Sequence, residues 1–309
     1  MKIDSAIPFV AFLTLCAVPA RADTFSVCDE NDFWGHWSDK YYTNHSRLAY
    51  THDAADAPGR HYFFSVGQEM YTPAARYVET PPKDDHPYSA FLYASAGLAE
   101  TRDDRLLFAA ELQLGVVGPS ALGEEIQDGY HRIIGADRYS GWDSQVKDQP
   151  GVNLLCEQRG RFMLSGRLGE GFAADLIVRG FCSLGTVRTQ LSGGAQARWG
   201  YGLPRDFGWA PMRQSTSLAL APGVPASLYV FADLQADAIA YDATLGGELF
   251  RDHDSDLCAY PFAAEASIGV GASFGGWSAV FFQSFRTRDF SSADHRVFAF
   301  GGFRVSYSF

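Results

Sequence analysis

Apolar and polar positions alternate along most of the chain, most clearly in residues 297–309. Phe303, Val305, Tyr307 and Phe309 there alternate with polar or small residues up to the last position. A period of two residues is typical of a β-strand with one apolar and one polar face. An alternating strand that ends on an aromatic residue is also what outer-membrane barrels present to the β-barrel assembly machinery. The pattern therefore favours such a barrel, with that machinery as a partner, over a C-terminal sandwich strand.

Two further alternating segments predict a hairpin. Residues 266–274 and 277–285 each carry apolar side chains at every second position, and Gly275-Gly276 lies between them. A two-glycine link between alternating segments predicts a tight β-turn. Residues 231–238 alternate in the same way. In a membrane barrel the apolar face contacts lipid and the polar face fills the lumen.

The N-terminus has the features of a secretory signal peptide. Lys2 precedes the apolar stretch 7–18, and Ala20-Arg21-Ala22 is a small-residue cleavage motif. Removal of residues 1–22 leaves 287 of the 309 residues, which start at Asp23. At roughly 20–25 residues for each membrane strand and its connection, this length allows about twelve strands. We therefore predict an all-β fold: a transmembrane antiparallel β-barrel in one domain, residues 23–309, in the outer membrane of a Gram-negative cell.

Composition limits the partners. The formal net charge of −11 argues against a nucleic-acid partner and is compatible with divalent cations and a cation-bridged anionic lipid layer. After cleavage the exported chain keeps Cys28, Cys156, Cys182 and Cys258, which allow three pairings into two disulfides. Of these, Cys156 and Cys182 are the pair we place on neighbouring strands.

One segment, residues 118–142, departs from the strand pattern. Its centre, Glu124 to Ile134, suits a short amphipathic helix in a loop on the extracellular side. Gln127, His131 and Ile134 are spaced to share one face, with Asp137 soon after. A histidine, a carboxylate and an amide on a rigid element are the parts of a general-base site. The alternative is a surface helix with a solvated histidine.

A second candidate feature is Asn31-Asp32 at the end of the first predicted strand. An amide and a carboxylate are hard oxygen ligands of the kind that Ca²⁺ prefers. The alternative is an ordinary turn, because Asn and Asp are common turn residues.

Short motifs follow one another in a fixed order along the chain. They are Glu30-Asn31-Asp32, Tyr42-Thr43-Asn44, Gly67-Gln68, Tyr71-Thr72-Pro73, Pro87-Tyr88-Ser89-Ala90, Gly115-Val116-Val117-Gly118-Pro119, Gln127 through His131, Gly141-Trp142-Asp143-Ser144-Gln145 and residues 198–208. Single motifs are weakly specific, but together they cover much of the chain after the signal peptide, most densely its first two-thirds. The ordered set resembles the lipid A 3′-O-deacylase (LpxR) family of Gram-negative outer membranes.

The resemblance implies a twelve-stranded barrel whose active site faces the outer leaflet. It implies a Ca²⁺-dependent hydrolase that removes the 3′-linked acyloxyacyl chain of lipid A, so that lipopolysaccharide and outer-membrane lipids are its partners. His131 matches the catalytic histidine of the family, and Gln127 lies on the same helical face. Asn31, Asp32 and Thr43 match other active-site positions.

Two positions depart from the family pattern. Asp137 is at the position where the family usually has Glu; the negative charge is kept, but the side chain is one methylene shorter. We predict a metal site formed by Asp32, Asn31 and Asp137. The family also uses a lysine in the loop after Tyr71-Thr72-Pro73. In this chain residues 74–82 contain Arg76 but no lysine, and Lys83 lies further along the chain.

Two other functions compete with this interpretation. The first is a serine acyl hydrolase of the outer-membrane phospholipase type, because residues 271–275 match the G-x-S-x-G pattern. They lie within an alternating strand, however, without the strand–turn–helix setting that the motif requires. The second is a non-enzymatic porin or surface-binding barrel, for which the acidic stretch 252–256 is a candidate cation site or a solvated loop.

Overall fold

The chain folds into a closed antiparallel barrel, as the alternation predicts. The computed structural model describes residues 22–36, 40–247 and 256–309, so residues 1–21 of the predicted signal peptide 1–22 and residues 252–255 of the acidic stretch lie outside the described residues. Within those ranges there are twelve strands, each paired with its neighbours in sequence, and β1 closes the barrel against β12. The strands are β1 Thr24–Asn31, β2 Tyr41–Asp53, β3 Arg60–Thr72, β4 Ser89–Arg102, β5 Leu106–Val117, β6 Gln149–Arg167, β7 Glu170–Gly185, β8 Arg188–Tyr201, β9 Ala226–Asp242, β10 Phe262–Phe274, β11 Trp277–Thr287 and β12 Val297–Ser308.

Helical structure is confined to the connections. The α-helices are α1 Phe33–His36, α2 Gly123–Ile134 and α3 Ala243–Gly246, and 3₁₀ turns cover Pro119–Ala121, Trp142–Ser144 and Met212–Gln214. Among the described residues, none of these helices has the length and apolarity to cross a membrane.

The predicted hairpin is confirmed and shows how the wall is built. Phe274 pairs with Trp277 across the turn, and Gly275 adopts a φ of 59°, which a residue without Cβ tolerates. Along β10 the apolar Ile268 is exposed while its neighbour Ser267 is buried. Apolar side chains thus cover the outside of the barrel and polar ones fill its lumen, as lipid requires.

The two ends of the barrel differ. The start of β1 and the end of β12 lie at one end, which we call the terminus end, where most connections are short turns such as Gly275-Gly276. The opposite end, the loop end, carries the long connections 73–88 and 118–148. Outer-membrane barrels have short periplasmic turns and longer extracellular loops. The loop end is therefore the extracellular one.

One connection at the terminus end is long, and it folds into the lumen. Residues 202–225, which we call the plug, join β8 to β9. On the way in, the Trp209 ring lies 4.1 Å from the Phe282 ring, centroid to centroid. On the way back, the Ser217 amide and hydroxyl donate to the Glu111 carboxylate at 2.6 and 2.7 Å.

Buried charged pairs also occupy the lumen. The Arg179 guanidinium donates to Asp233 at 2.7 Å, and Arg286 donates to Asp237 at 2.6 Å; all four residues are buried. A buried charge is tolerated only when a partner compensates its lost hydration. These pairs explain why charged residues occupy inward positions of strands that cross a membrane.

The prediction that Cys156 and Cys182 lie on neighbouring strands is confirmed. They are directly opposite each other on β6 and β7, at least partly exposed, and both are free thiols. Their covalent pairing stays a prediction.

Candidate active site at the loop end

Helix α2 forms close to where the sequence predicts it, because its start and end are defined locally. Leu122 precedes it in the left-handed region with a φ of 61°, and Gly135 ends it with a φ of 73°. The Ala136 amide donates to the His131 carbonyl at 2.9 Å, which satisfies one terminal acceptor. Glu124 and Glu125 in the first turn complement the positive end of the helix dipole.

The helix turns its chemically functional face inward. Gln127 and His131 are both buried, and His131 is only 5% exposed. The predicted shared face is thus confirmed for these two, whereas Ile134 is half-exposed and lies at its edge. The alternative of a surface helix with a solvated histidine is wrong about the histidine, although the opposite side of α2 is exposed.

Polar contacts hold α2 within the segment 118–148 and hold that segment against the outside of the barrel wall. Trp142 Nε1 donates to Gln127 Oε1 at 2.8 Å, and Gln68 Nε2 donates to the Ala121 carbonyl at 2.6 Å. On β3 the outward positions Phe64 and Val66 are exposed, but the next outward position, Gln68, is buried. The segment 118–148 therefore covers the outer face of the wall near the loop end.

Tyrosine 139 links His131 to that wall. Its ring lies 4.8 Å from the His131 ring in an edge-to-face arrangement and belongs to a buried cluster with Met70, Tyr88 and Trp142. His131 Nδ1 lies 2.7 Å from the main-chain carbonyl oxygen of Asp137. Asp137 is an exposed residue, and this contact orients the imidazole through the Asp137 backbone.

The loop 73–88 brings a cation to the same cluster. The Arg76 guanidinium lies 5.5 Å from the Tyr139 ring centroid, and the Arg76 carbonyl accepts from the Ser140 amide. Arg76 therefore occupies the loop where the family resemblance implies a lysine, and it packs on the residue that packs on His131.

The other predicted residues lie on the rim formed by β1 and β2. The outward-facing Asn31 pairs with Asn44 on β2, and its Oδ1 accepts from the Phe33 amide at 2.7 Å. Asp32 is buried, and its Oδ2 accepts from the Lys40 amide at 2.6 Å. Both side chains thus accept hydrogen bonds from backbone amides of the β1–β2 connection.

Threonine 43 connects the rim to β3. It lies at a bulge of β2, and its hydroxyl is 2.7 Å from the Thr72 hydroxyl. Thr72 continues the outward series of β3 two residues beyond Met70, which packs in the Tyr139 cluster. The structure therefore places the predicted residues in two groups along one stretch of the outer rim: Asn31, Asp32 and Thr43 on the wall, and Gln127, His131 and Asp137 on and after α2.

Sequence reasoning missed two cations near the rim. Lys40 follows the β1–β2 loop, and its Nζ lies 2.7 Å from Asp294. Arg213, at the tip of the plug, lies over the Tyr42 ring at 5.4 Å and the Tyr71 ring at 5.7 Å. Each tyrosine directly precedes a rim threonine, and no local pattern in 202–225 signals this approach.

Behind the rim, the loop end encloses a cavity of about 300 Å³. Aromatic side chains such as Tyr71 and Phe290 line it, together with His86, Arg213 and Asp289. Burial raises the pKa of Asp289, but Arg286 and Arg213 beside it prevail and lower that pKa to about 2. Burial also holds the pKa of His86 below its usual value.

The oxygen donors of Asn31 and Asp32 suit Ca²⁺ by type. Within residues 22–36, 40–247 and 256–309, no three His, Cys, Asp or Glu side chains are grouped closely enough to hold a metal ion. A calcium ion at this rim would therefore depend on amide, hydroxyl, water or substrate oxygens beside the Asp32 carboxylate.

A closed twelve-stranded barrel with an apolar outer surface and a polar lumen defines an integral outer-membrane protein. The model of one family, described as "Outer membrane protein LpxR", matches residues 7–309, and the chain belongs to that family. No curated protein sequence matches the chain significantly.

Two solved structures are similar to this chain, and the first of them has the same fold. LpxR from Salmonella typhimurium is 20% identical, with a TM-score of 0.79 over 93% of this chain and 100% of that one. The β-domain of the Bordetella autotransporter BrkA is 13% identical, with a TM-score of 0.45 over 94% of this chain and 99% of that one.

Proposed function

We propose that this protein is a Ca²⁺-dependent lipid A 3′-O-deacylase that works by a histidine-activated water. The observation that carries the proposal is the position of His131. It is buried on α2, in the segment that packs on the outer face of the barrel wall, at the end that carries the extracellular loops. A lipid ester in the outer leaflet can reach such a site from the membrane, without entering the lumen.

His131 is suited to act as the general base. Because a carbonyl oxygen only accepts hydrogen bonds, the contact with Asp137 assigns the proton to Nδ1. Nε2 then has the lone pair that takes a proton from water. The hydroxide equivalent adds to the ester carbonyl, the sugar oxygen leaves with a proton, and the products are a carboxylic acid and a sugar hydroxyl.

Charge develops on the ester oxygen as water adds, and this charge needs stabilisation. When bound, Ca²⁺ supplies Lewis-acid polarisation of the ester carbonyl. Asn31 and Asp32 would hold it, and Thr43 stands beside them on the rim. Arg76 brings a second positive charge to the wall of the site and takes the place of the lysine that the family resemblance implies.

Mass spectrometry of lipid A tests the proposal. Gram-negative cells would express the chain, His131→Ala, or His52→Ala, with and without added Ca²⁺. The control His52 is exposed at the terminus end. We expect loss of one acyloxyacyl unit with the unmodified chain and with His52→Ala, and a drop of about 10²–10⁴ in rate with His131→Ala, the usual contribution of general-base catalysis. Unchanged lipid A with a folded barrel would refute the proposal.

The structure weighs against both competing functions. Ser273 of the G-x-S-x-G match faces the lumen, where its hydroxyl lies 2.7 Å from that of Ser227. A serine mechanism would make the protein sensitive to fluorophosphonates, and we expect no inhibition. The plug occupies the lumen, so we also expect no steady conductance from the barrel in planar bilayers.

A further inference from the structure

Helix α2 has three faces and not two. The face with Gln127 and His131 is buried against the wall. A second face carries Glu125 and Arg132, which are exposed and charged. The third face consists of large apolar side chains that are exposed as well: Leu122, Ile126, Tyr130, Ile133 and Ile134.

The exposure of the third face is large. Ile133 is 85% exposed, Tyr130 53% and Ile126 47%. At 100° per residue, Leu122, Ile126, Tyr130 and Ile133 fall within one quarter of the helix circumference. A contiguous apolar stripe of this kind marks a contact with another apolar phase, whereas single exposed apolar residues do not.

The stripe continues the surface that faces lipid. Helix α2 follows β5, whose outward residues include the exposed Leu112 and Leu114. Leu122 begins the stripe only five residues after Val117, where β5 ends. The segment that carries the helix packs on the outside of the wall, through Gln68, and not over the lumen. The apolar surface of the barrel therefore extends onto the helix.

We propose that the apolar stripe of α2 inserts among the acyl chains of the outer leaflet. The charged face with Glu125 and Arg132 then meets the headgroup region and water. A helix with separate apolar and charged faces adopts this orientation at a membrane interface. The inference follows from the location of the barrel and does not depend on catalysis. Its consequence is that His131 lies at the boundary between acyl chains and headgroups.

Site-directed spin labelling tests this placement. Cys156, Cys182 and Cys258 are replaced by Ser, and a nitroxide is attached through Ile133→Cys, Ile126→Cys, Arg132→Cys or Glu125→Cys. The full chain is reconstituted in phosphatidylcholine vesicles, with and without added lipopolysaccharide. Collision rates with oxygen, which partitions into lipid, are compared with those of a water-soluble nickel chelate. Heat-modifiable migration in gels confirms that each variant is folded.

We expect opposite results from the two faces. Labels at 126 and 133 should collide several-fold more with oxygen than with nickel, and labels at 125 and 132 should show the reverse. Arg132 and Ile133 are adjacent in sequence, so local unfolding of the helix would give labels at these two positions equal collision rates. Equal access to nickel at 132 and 133 overturns the proposal. Protection from both reagents at 133, with dipolar broadening between labels, also overturns it and assigns the stripe to a contact between two copies of the chain.

A kinetic readout separates this inference from the proposed activity. Ile133→Asp should lower turnover of membrane-embedded lipid A at least tenfold relative to Arg132→Asp. If the unmodified chain has no deacylase activity, the spin-label result still decides the placement of the helix. If the deacylase is active but the labels at 126 and 133 both collide mainly with nickel, the membrane placement of α2 is wrong while the proposed function stands.

Discussion

The Met212 amide donates a hydrogen bond of 2.9 Å to the Glu30 carboxylate, although the two residues are 182 positions apart. Met212 is at the tip of the plug, and Glu30 directly precedes Asn31-Asp32 on the rim. The Tyr42 hydroxyl donates to the other Glu30 oxygen at 2.5 Å. The plug tip thus supports the inner side of the wall whose outer side carries the candidate site.

Arg213 is the residue through which this support is best tested. Its guanidinium lies 3.3 Å from Asp242 and 3.3 Å from Asp289, all in buried or partly buried surroundings. Arg213→Met leaves these carboxylates with less compensation, which typically costs about 3–5 kcal/mol. We expect a lower urea midpoint and slower deacylation, while Arg105→Met, in the exposed β4–β5 turn, changes neither. An unchanged urea midpoint in Arg213→Met would show that the plug tip contributes little to the stability of the folded protein.

The two aspartates of the predicted metal site should behave differently. Asp32→Asn removes a buried carboxylate at the rim, and we expect it to raise the Ca²⁺ concentration for half-maximal activity by at least about 10–100-fold. Asp137→Asn keeps the backbone carbonyl that faces His131. We therefore expect most of its turnover to remain at saturating Ca²⁺. Calcium titrations of both variants check this, and a raised requirement in Asp137→Asn would identify its carboxylate as a ligand.

The pairing of β6 with β7 predicts a specific cross-link. Directly opposed residues of antiparallel strands have Cα atoms about 4.5–5.5 Å apart, which a disulfide spans. Copper phenanthroline should therefore oxidise the Cys156 and Cys182 thiols to one disulfide, with loss of two protons and two electrons to the oxidant. Peptide mapping would identify it, and Cys182→Ser should abolish it. A bond from Cys156 to Cys258 would contradict the register.

His86 should make stability depend on pH. It is buried, its Nδ1 lies 2.7 Å from the Pro87 carbonyl and its ring stacks on Tyr71. Burial lowers its pKa in the folded state below the usual value of about 6.5. The unfolded chain therefore binds more protons below pH 6.5, and stability falls as the pH drops from there toward the folded pKa.

Guanidinium unfolding in detergent measures this effect. We expect the midpoint of the unmodified protein to fall between pH 7.5 and pH 5, and the fall to be smaller in His86→Gln. His52→Gln, at the exposed terminus end, is the matched control. An equal fall in His86→Gln would mean that other groups account for the pH dependence.

The barrel was predictable because its signal is local. Each strand has lipid on one side and the packed lumen on the other, so apolar and polar residues alternate with a period of two in segments such as β10. Gln127 and His131 were predictable for the same reason, since one helical period brings them together. The third face of α2 also follows from that period, but its meaning depends on where the helix lies.

The plug was not predictable from such patterns. Its residues are buried by partners on distant strands, such as Glu111 for Ser217, so they show neither the strand nor the helix period. Arg213 could not be connected with Tyr42 and Tyr71 for the same reason. The sequence showed Arg76 only as a departure from the lysine that the family resemblance implies. Its contact with Tyr139 depends on how the loops 73–88 and 118–148 fold against each other.

The contacts of the plug also bear on how the protein is assembled. The plug bonds to β1 through Glu30 and to β2 through Thr51, whose hydroxyl accepts from the Ala219 amide at 3.3 Å. These first strands are made before residues 202–225, and β1 joins β12 only when the last strand is in place. A plug left outside a closed wall would have to pass a lumen already filled by paired charges. We therefore expect insertion of the plug to precede sealing of the β1–β12 seam, so that chains truncated before β12 already protect Trp209 from water.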